Sequence, residues 1–285
     1  MRTVHLCIAA LTLLAAAKAF GVLPPLDDED KLFQSTHIIE GTVEKADARI
    51  EADRLGTRWV TTLTLTVDAV LKGDDLSPGS TIAVAYWQAG KRPDRWVGDT
   101  GQRGSFGVGM RRRLFMRATG AGYRLLSPDG SESLAERPRF PYRELREKGW
   151  RMFVPTAWTD EPAPIGRGNI LWPPEGETPT MSHVSVEPYA DACGGAGLLE
   201  RTRTEVKGYL AGEIVRESGG RPGEPYDIEY RWKDEPGQTT PFVNVDRFVC
   251  SDAVGWRLRF ASTDEEYPAF IDAARIMFRS FTGEP

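Results

Sequence analysis

Apolar and polar residues alternate along the first half of the chain, and this pattern predicts short strands. The clearest case is 59–71 (WVTTLTLTVDAVL), where threonine alternates with valine and leucine. A period of two is typical of a strand with one buried face. Comparable runs between turn residues predict further strands at 37–43, 81–87, 111–118 and 122–126. The Pro- and Asp-rich segment 20–33 is predicted to be irregular, so 30–135 is expected to form a small all-β barrel.

The second half mixes strand and helix patterns. Residues 197–211 (GLLERTRTEVKGYLA) and the segment after Asp264, its predicted N-cap, place apolar residues at helical spacing. Alternating segments predict strands at 149–154, 168–172, 181–187, 226–232, 240–250 and 255–260. The fold class is therefore α+β, with a linker over 127–146. An antiparallel sheet with covering helices is expected over 147–283.

Several aromatic motifs recur at fixed places in this order of elements. They are Gly149-Trp150 at a strand start, Pro155-x-x-Trp158, Tyr230-Arg231-Trp232, Trp256-Arg257-Leu258 and the closing Arg279-Ser280-Phe281. In these features 147–283 resembles the PsbP/DcrB-like superfamily. The resemblance implies a curved antiparallel sheet covered by helices, and a domain that binds other proteins without a shared catalytic site.

A shorter motif in the first half also resembles a known fold. The pattern V…VLKGD…PGS at the second strand is similar to exported barrels of the oligonucleotide/oligosaccharide-binding (OB) type. This resemblance implies an OB-like barrel for 30–135 and says nothing about its ligand.

The first 19 residues have the features of a secretory signal peptide. Arg2 precedes an apolar run at 6–17, which ends in Ala17-Lys18-Ala19. The run is shorter than the roughly 20 residues of a membrane span. We expect cleavage after Ala19 and a protein that is periplasmic or secreted.

Cysteine usage agrees with export. Cys7 lies in the predicted signal peptide, which leaves Cys193 and Cys250. An even pair in an exported chain predicts one disulfide. The alternative is a reactive thiol at Cys193.

Charge is distributed unevenly along the chain. The net charge is −5, which does not favour nucleic-acid binding by the whole molecule, yet 91–124 carries nine basic and two acidic residues. In a strand over 111–118, alternation would project Arg111, Arg113 and Arg117 to one side, with Trp87 and Trp96 near them in sequence. Arginine beside aromatic rings suits an anionic polymer or an acidic protein partner. The alternative is a solvated strand face without a ligand.

Motifs of catalysis and metal binding are missing. The chain contains no His-Glu-x-x-His, no Cys-x-x-Cys and no glycine-rich phosphate loop. We predict no catalytic residue, no metal site and no cofactor, with His37 and His183 in structural or surface roles.

Together these patterns predict an exported, non-catalytic protein that binds another exported protein. It would be an accessory or immunity-type protein that masks its partner through the basic region or the loop 173–179. One alternative is a binder of polyanions or glycans through the Arg/Trp region. Another is an enzyme with an unfamiliar site.

The signal-peptide hypothesis predicts the N-terminus of the exported protein. N-terminal sequencing should read Phe20-Gly21-Val22, because the small residues Ala17 and Ala19 form the cleavage site. An exported form that retains Met1 would contradict this expectation.

Overall fold

The computed structural model describes residues 23–54, 56–93, 100–137, 139–164, 168–174, 180–193, 196–219, 221, 224–251 and 254–284. The predicted signal peptide, Trp96 and residues 175–179 of the predicted loop lie outside the described residues. The chain divides into two compact units, Met1–Arg139 and Phe140–Pro285.

In its described residues the first unit contains one helix and six strands. In order these are α1 (Asp28–Gln34), β1 (His37–Asp53), β2 (Gly56–Lys72), β3 (Thr81–Ala89), β4 (Arg111–Thr119), β5 (Gly122–Leu125) and β6 (Ser131–Ser133). The pairing order is β1-β2-β3-β5-β4, and β4 pairs again with β1, so these five strands form a closed ring. Only the β3–β5 pairing is parallel among them.

Alternation along β2 builds the core of this unit. Leu63, Leu65 and Val67 are buried, while Thr64 and Thr66 between them are half-buried. This is the period of two that the sequence predicted. Each fully buried aliphatic side chain contributes about 1.5–3 kcal/mol of transfer free energy.

Helix α1 corrects the prediction of an irregular segment at 20–33. The Oδ1 atom of Asp27 accepts a hydrogen bond from the backbone N–H of Asp30 at 2.7 Å, which caps the helix. Acidic residues in the first turn suit the positive end of the helix dipole. Leu32 is completely buried and holds the helix on the sheet.

The remaining strands and α-helices of the described residues belong to the second unit, which also has a 3-10 helix at Ala190–Cys193. They are β7 (Tyr142–Glu147), β8 (Trp150–Pro155), β9 (Thr159–Pro162), β10 (Asn169–Trp172), β11 (His183–Pro188), α2 (Ala196–Gly208), β12 (Leu210–Gly219), β13 (Tyr226–Lys233), β14 (Phe242–Ser251), β15 (Val254–Thr263), α3 (Tyr267–Ser280) and β16 (Thr282–Gly283). An antiparallel seven-stranded sheet has the order β12-β13-β14-β15-β11-β10-β9, and a smaller sheet has the order β16-β8-β7.

Two details of the sequence prediction were wrong here. The segment 127–146 is not only a linker, because β6 and part of β7 lie in it. Asp264 does not cap α3: the N-cap is Glu266, and Asp264 instead pairs with Arg231 at 3.0 Å.

The large sheet of this unit has an apolar core on each face. On one face Leu258 and Phe260 pack with Ile271 and Met277 of α3. On the other face Tyr226, Ile228 and Phe248 pack with Leu198 and Val206 of α2. Helices therefore lie on both faces of this antiparallel sheet, in agreement with the predicted antiparallel sheet with covering helices.

The predicted disulfide is present. Cys193 and Cys250 are bonded with their Cα atoms 5.0 Å apart, so the alternative of a reactive thiol at Cys193 does not hold in this structure. The bond joins residues 57 positions apart, which corresponds to about 4 kcal/mol in the chain-entropy model.

The helices were compared with the requirements of a membrane span. Among the helices of the described residues, none combines the length and the apolar character that a bilayer span needs.

A buried ion pair fixes the α2 side of the large sheet. The side chain of Asp246 is 2% exposed and accepts from Nε and Nη2 of Arg259 at 2.7 and 2.8 Å. Burial opposes the charge of Arg259, but the carboxylate of Asp246 outweighs it and raises the pKa of the guanidinium.

We therefore expect Asp246→Ala to lower the free energy of unfolding by about 3 kcal/mol, since it leaves the half-buried cation of Arg259 without its carboxylate partner. Urea unfolding measures this value. The matched control is Asp264→Ala, whose partner Arg231 is exposed, and it should change stability by at most about 1 kcal/mol. Equal, small effects of both variants would contradict the expectation.

Candidate functional site

A cavity of about 380 Å³ lies in the first unit beside β4 and β5. Side chains with polar or aromatic groups line it: Gln34, Tyr86, Trp87, Gln102, Arg117 and Arg124. Its volume falls in the lower part of the range of small-ligand sites, about 300–1,000 Å³.

Two arginines dominate the electrostatics of this cavity. Arg117 on β4 and Arg124 on β5 are direct cross-strand partners. Like charges placed directly opposite each other destabilise a sheet. Arg117 donates from Nε and Nη2 to the backbone and side-chain oxygens of Gln34 at 2.8 and 3.1 Å. Across the described residues, neither arginine has a carboxylate partner.

The aromatic wall of the cavity has a fixed position. Trp87 on β3 is half-buried, and its carbonyl oxygen accepts from the backbone N–H of Gln102 at 2.8 Å. The side chain of Gln102 is buried and accepts from the N–H of Gly130 at 3.2 Å. At Gly101 (φ +76°) a Cβ atom would lie 2.2 Å from the carbonyl oxygen of Trp87. Only glycine therefore allows this close approach.

The structure brings together two of the residues that the sequence selected. Trp87 and Arg117 line the same cavity. Arg111 lies elsewhere, with its side chain 63% exposed and its Nε 3.3 Å from Asp68. Together with Arg112 it lines a separate concavity of about 470 Å³. Whether Trp87, Arg111 and Arg117 bind a ligand stays a prediction.

Arg113 requires a correction. The side chain is 1% exposed, because Nη2 contacts Oε1 of Glu40 at 2.7 Å and Nη1 contacts Oε2 of Glu132 at 3.2 Å. The strand register places Glu40, Arg113 and Glu132 in one row across β1, β4 and β6. Lys31 of α1 also pairs with Glu132 at 2.9 Å. Arg113 is therefore part of the interior and not of a binding surface.

Sequence analysis did not select Arg124. Its partnership with Arg117 follows from the short turn between β4 and β5, which fixes the register of the hairpin. The predicted strands at 111–118 and 122–126 already located this turn, and pairing residues across it would have placed the two arginines opposite each other.

His37 belongs to a polar cluster outside the cavity. Its Nε2 hydrogen-bonds Oδ1 of Asp75, and the hydroxyl of Tyr123 donates to Oδ2 at 2.9 Å. These hydrogen bonds, first that of His37, lower the pKa of Asp75. Thr36 Oγ1 lies 2.8 Å from Nδ1 of His37 and also accepts from the N–H of Ala118 at 2.7 Å. The cluster ties the turn after β2 to the start of β1.

Metal-binding residues do not gather in the described part of the chain. No group of three or more His, Cys, Asp or Glu residues there could hold a metal ion.

Comparisons with known proteins found structural similarity only. No family model and no curated protein matches the chain. Half of the chain matches LpqN of Mycobacterium tuberculosis, involved in cell envelope biogenesis, at 12% identity, 91% coverage of LpqN and TM-score 0.37. The Ran-binding protein Mog1p of Saccharomyces cerevisiae matches at 12% identity, half of this chain, 95% of Mog1p and TM-score 0.36.

A third match is CyanoP, the PsbP protein of the cyanobacterium Synechocystis. It matches at 9% identity over half of this chain and 92% of CyanoP, with TM-score 0.35. The resemblance predicted from the sequence thus recurs in the comparison of structures. All three TM-scores are below 0.5, so these similarities carry no conclusion on function.

The contrast between Arg113 and Arg117 gives a prediction on stability. Arg113→Ala should lower the free energy of unfolding by about 3 kcal/mol or more, because Glu40 loses its buried cation and Glu132 loses one of its cations, while Lys31 and Arg137 remain beside it. Arg117→Ala, at an exposed position opposite Arg124, should change it by less than about 1 kcal/mol. Urea unfolding of both variants measures these changes. If Arg113→Ala is as stable as the unmodified protein, Arg113 is not structural.

Proposed function

We propose that this chain is an exported, non-catalytic binding protein whose partner is another exported protein, and that its first unit is an OB-like barrel. The closed order β1-β2-β3-β5-β4 with its parallel β3–β5 pairing supports the barrel. The N-terminal pattern and the Cys193–Cys250 disulfide support export.

The observation that carries the proposal is the arginine pair in the cavity, which has no carboxylate partner in the part of the chain that the structure describes. An acidic side chain of a partner, placed between Arg117 and Arg124, would replace repulsion by two charge-assisted hydrogen bonds. Trp87 offers apolar surface next to them, and aromatic and arginine residues dominate the energetics of interfaces. An accessory or immunity-type protein would mask its partner through this surface.

A second candidate function is binding of a polyanion or a glycan. It is favoured by Arg111, which is largely exposed, and by its neighbour Arg112 in the concavity of about 470 Å³. Such binding would depend mainly on charge and would weaken steeply as salt rises.

The proposal is tested with the full chain immobilised and exposed to a cell-envelope extract. Charge reversal in Arg117→Glu plus Arg124→Glu should abolish retention of one stoichiometric partner, because an acidic group would now be repelled. The control Arg49→Glu changes an arginine on β1 that does not line the cavity and should retain it. If the unmodified chain, the Arg117→Glu plus Arg124→Glu variant and the Arg49→Glu control all retain the same proteins, the proposal is contradicted.

Heparin chromatography distinguishes the second candidate. A polyanion binder should elute at lower salt after Arg111→Ala plus Arg112→Ala. Unchanged elution would remove this candidate without affecting the first.

A further inference from the structure

The second unit has its own cavity, of about 360 Å³, beside β12, β13, β14 and the last turns of α3. Four arginines line it: Arg216, Arg247, Arg275 and Arg279. Two carboxylates, Asp227 and Glu229, line it as well. With every group ionised the cavity is therefore positive, although the chain as a whole is negative.

Strand register explains how these charges meet. Arg216 on β12 is the partner of Glu229 on β13, and Asp227 on β13 is the partner of Arg247 on β14. Burial and the nearby carboxylate of Glu229 raise the pKa of Tyr267 to about 12. Glu229 thus interacts with the hydroxyl of Tyr267 as well as with its cross-strand partner Arg216.

Asp227 neutralises its neighbours poorly. Its Oδ1 lies 3.5 Å from Nε of Arg247, longer than the 2.7–2.9 Å of a good charge-assisted hydrogen bond. Burial raises the pKa of Asp227, even though Arg247 and Arg216 lower it. The carboxylate of Asp227 is desolvated but forms no close ion pair. An anion that lies nearer to the guanidinium groups could therefore bind them in its place.

Apolar groups line the same cavity. Val245 of β14 and Phe278 of α3 face it next to the guanidinium groups. A few charged groups beside apolar surface are the usual make-up of a small-ligand site. Planar guanidinium groups bind the paired oxygens of phosphate and sulfate in bidentate geometry.

We propose that this cavity binds a small organic oxyanion, with a phosphate or sulfate headgroup on Arg216 and Arg247 and an apolar part against Val245 and Phe278. The site belongs to the second unit and does not depend on the function proposed for the first.

Calorimetry on the full chain tests the proposal with benzyl phosphate and its neutral counterpart, benzyl alcohol. Benzyl phosphate should bind one to one and at least about tenfold more tightly than benzyl alcohol. Arg216→Gln and Arg247→Gln should each weaken it by about tenfold. Asp227→Asn should strengthen it, because the competing carboxylate is removed. The control Arg49→Gln, at an exposed arginine of the first unit that does not line this cavity, should leave the affinity unchanged.

Two results would overturn the proposal. One is equal binding of the phosphate and the alcohol; the other is unchanged phosphate affinity in Arg216→Gln. Arg216 is exposed, so its variant should fold, and thermal unfolding verifies this for each protein. If Arg247→Gln does not fold, Arg216→Gln and Asp227→Asn decide the outcome alone. A synthetic sulfate ester of the same alcohol separates phosphate from sulfate preference.

Discussion

The first unit depends on one buried cation held between two carboxylates. Arg113 lies in a row with Glu40 and Glu132 that crosses β1, β4 and β6, and Lys31 extends the row to α1. An unpaired buried charge costs several kcal/mol, so each of these elements is constrained to bring its partner into place. A slip of one residue in β4 would turn Arg113 toward the opposite face of the sheet. The same network therefore closes the ring of strands at β1–β4 and holds the helix over it.

This constraint sorts the arginines of one strand into two kinds. Arg113 is neutralised inside the fold, whereas Arg117 contacts the two amide oxygens of Gln34 and faces the like charge of Arg124, with no carboxylate partner among the described residues. The second unit repeats the contrast. Arg259 forms a close pair with the buried Asp246, while Arg247 lies 3.5 Å from an Asp227 that is poorly solvated. Charges left uncompensated by the fold are the ones available to a ligand or a partner.

Elements defined by interactions between residues close in sequence could be predicted, and elements that depend on distant residues could not. Alternation predicted β2 and most other strands, because a strand with one buried face has alternating apolar and polar residues. Helix α1 was missed because seven residues give less than two full turns of periodicity and the segment is rich in acids. The strands β9 and β12 were missed because they lie at the edges of the sheet, where polar residues are tolerated.

The candidate site was harder to predict than the fold. Trp87 and Arg117 could be selected by residue type, but the burial of Arg113 depends on Glu40 and Glu132, which are distant in sequence. The pairing of Arg124 with Arg117 needs a strand register. Residue types indicate which chemistry is possible, whereas strand register determines which side chains are accessible to a ligand or partner.

Arginine-selective labelling of the native protein by phenylglyoxal, followed residue by residue with mass spectrometry, tests this division of charges most directly. Arg111, Arg117 and Arg124, which are exposed, should react rapidly. Arg113 should react only after unfolding, since its guanidinium is enclosed by two carboxylates. Reaction of Arg113 in the folded protein at the rate of Arg111 would contradict the division of the arginines into structural and available groups.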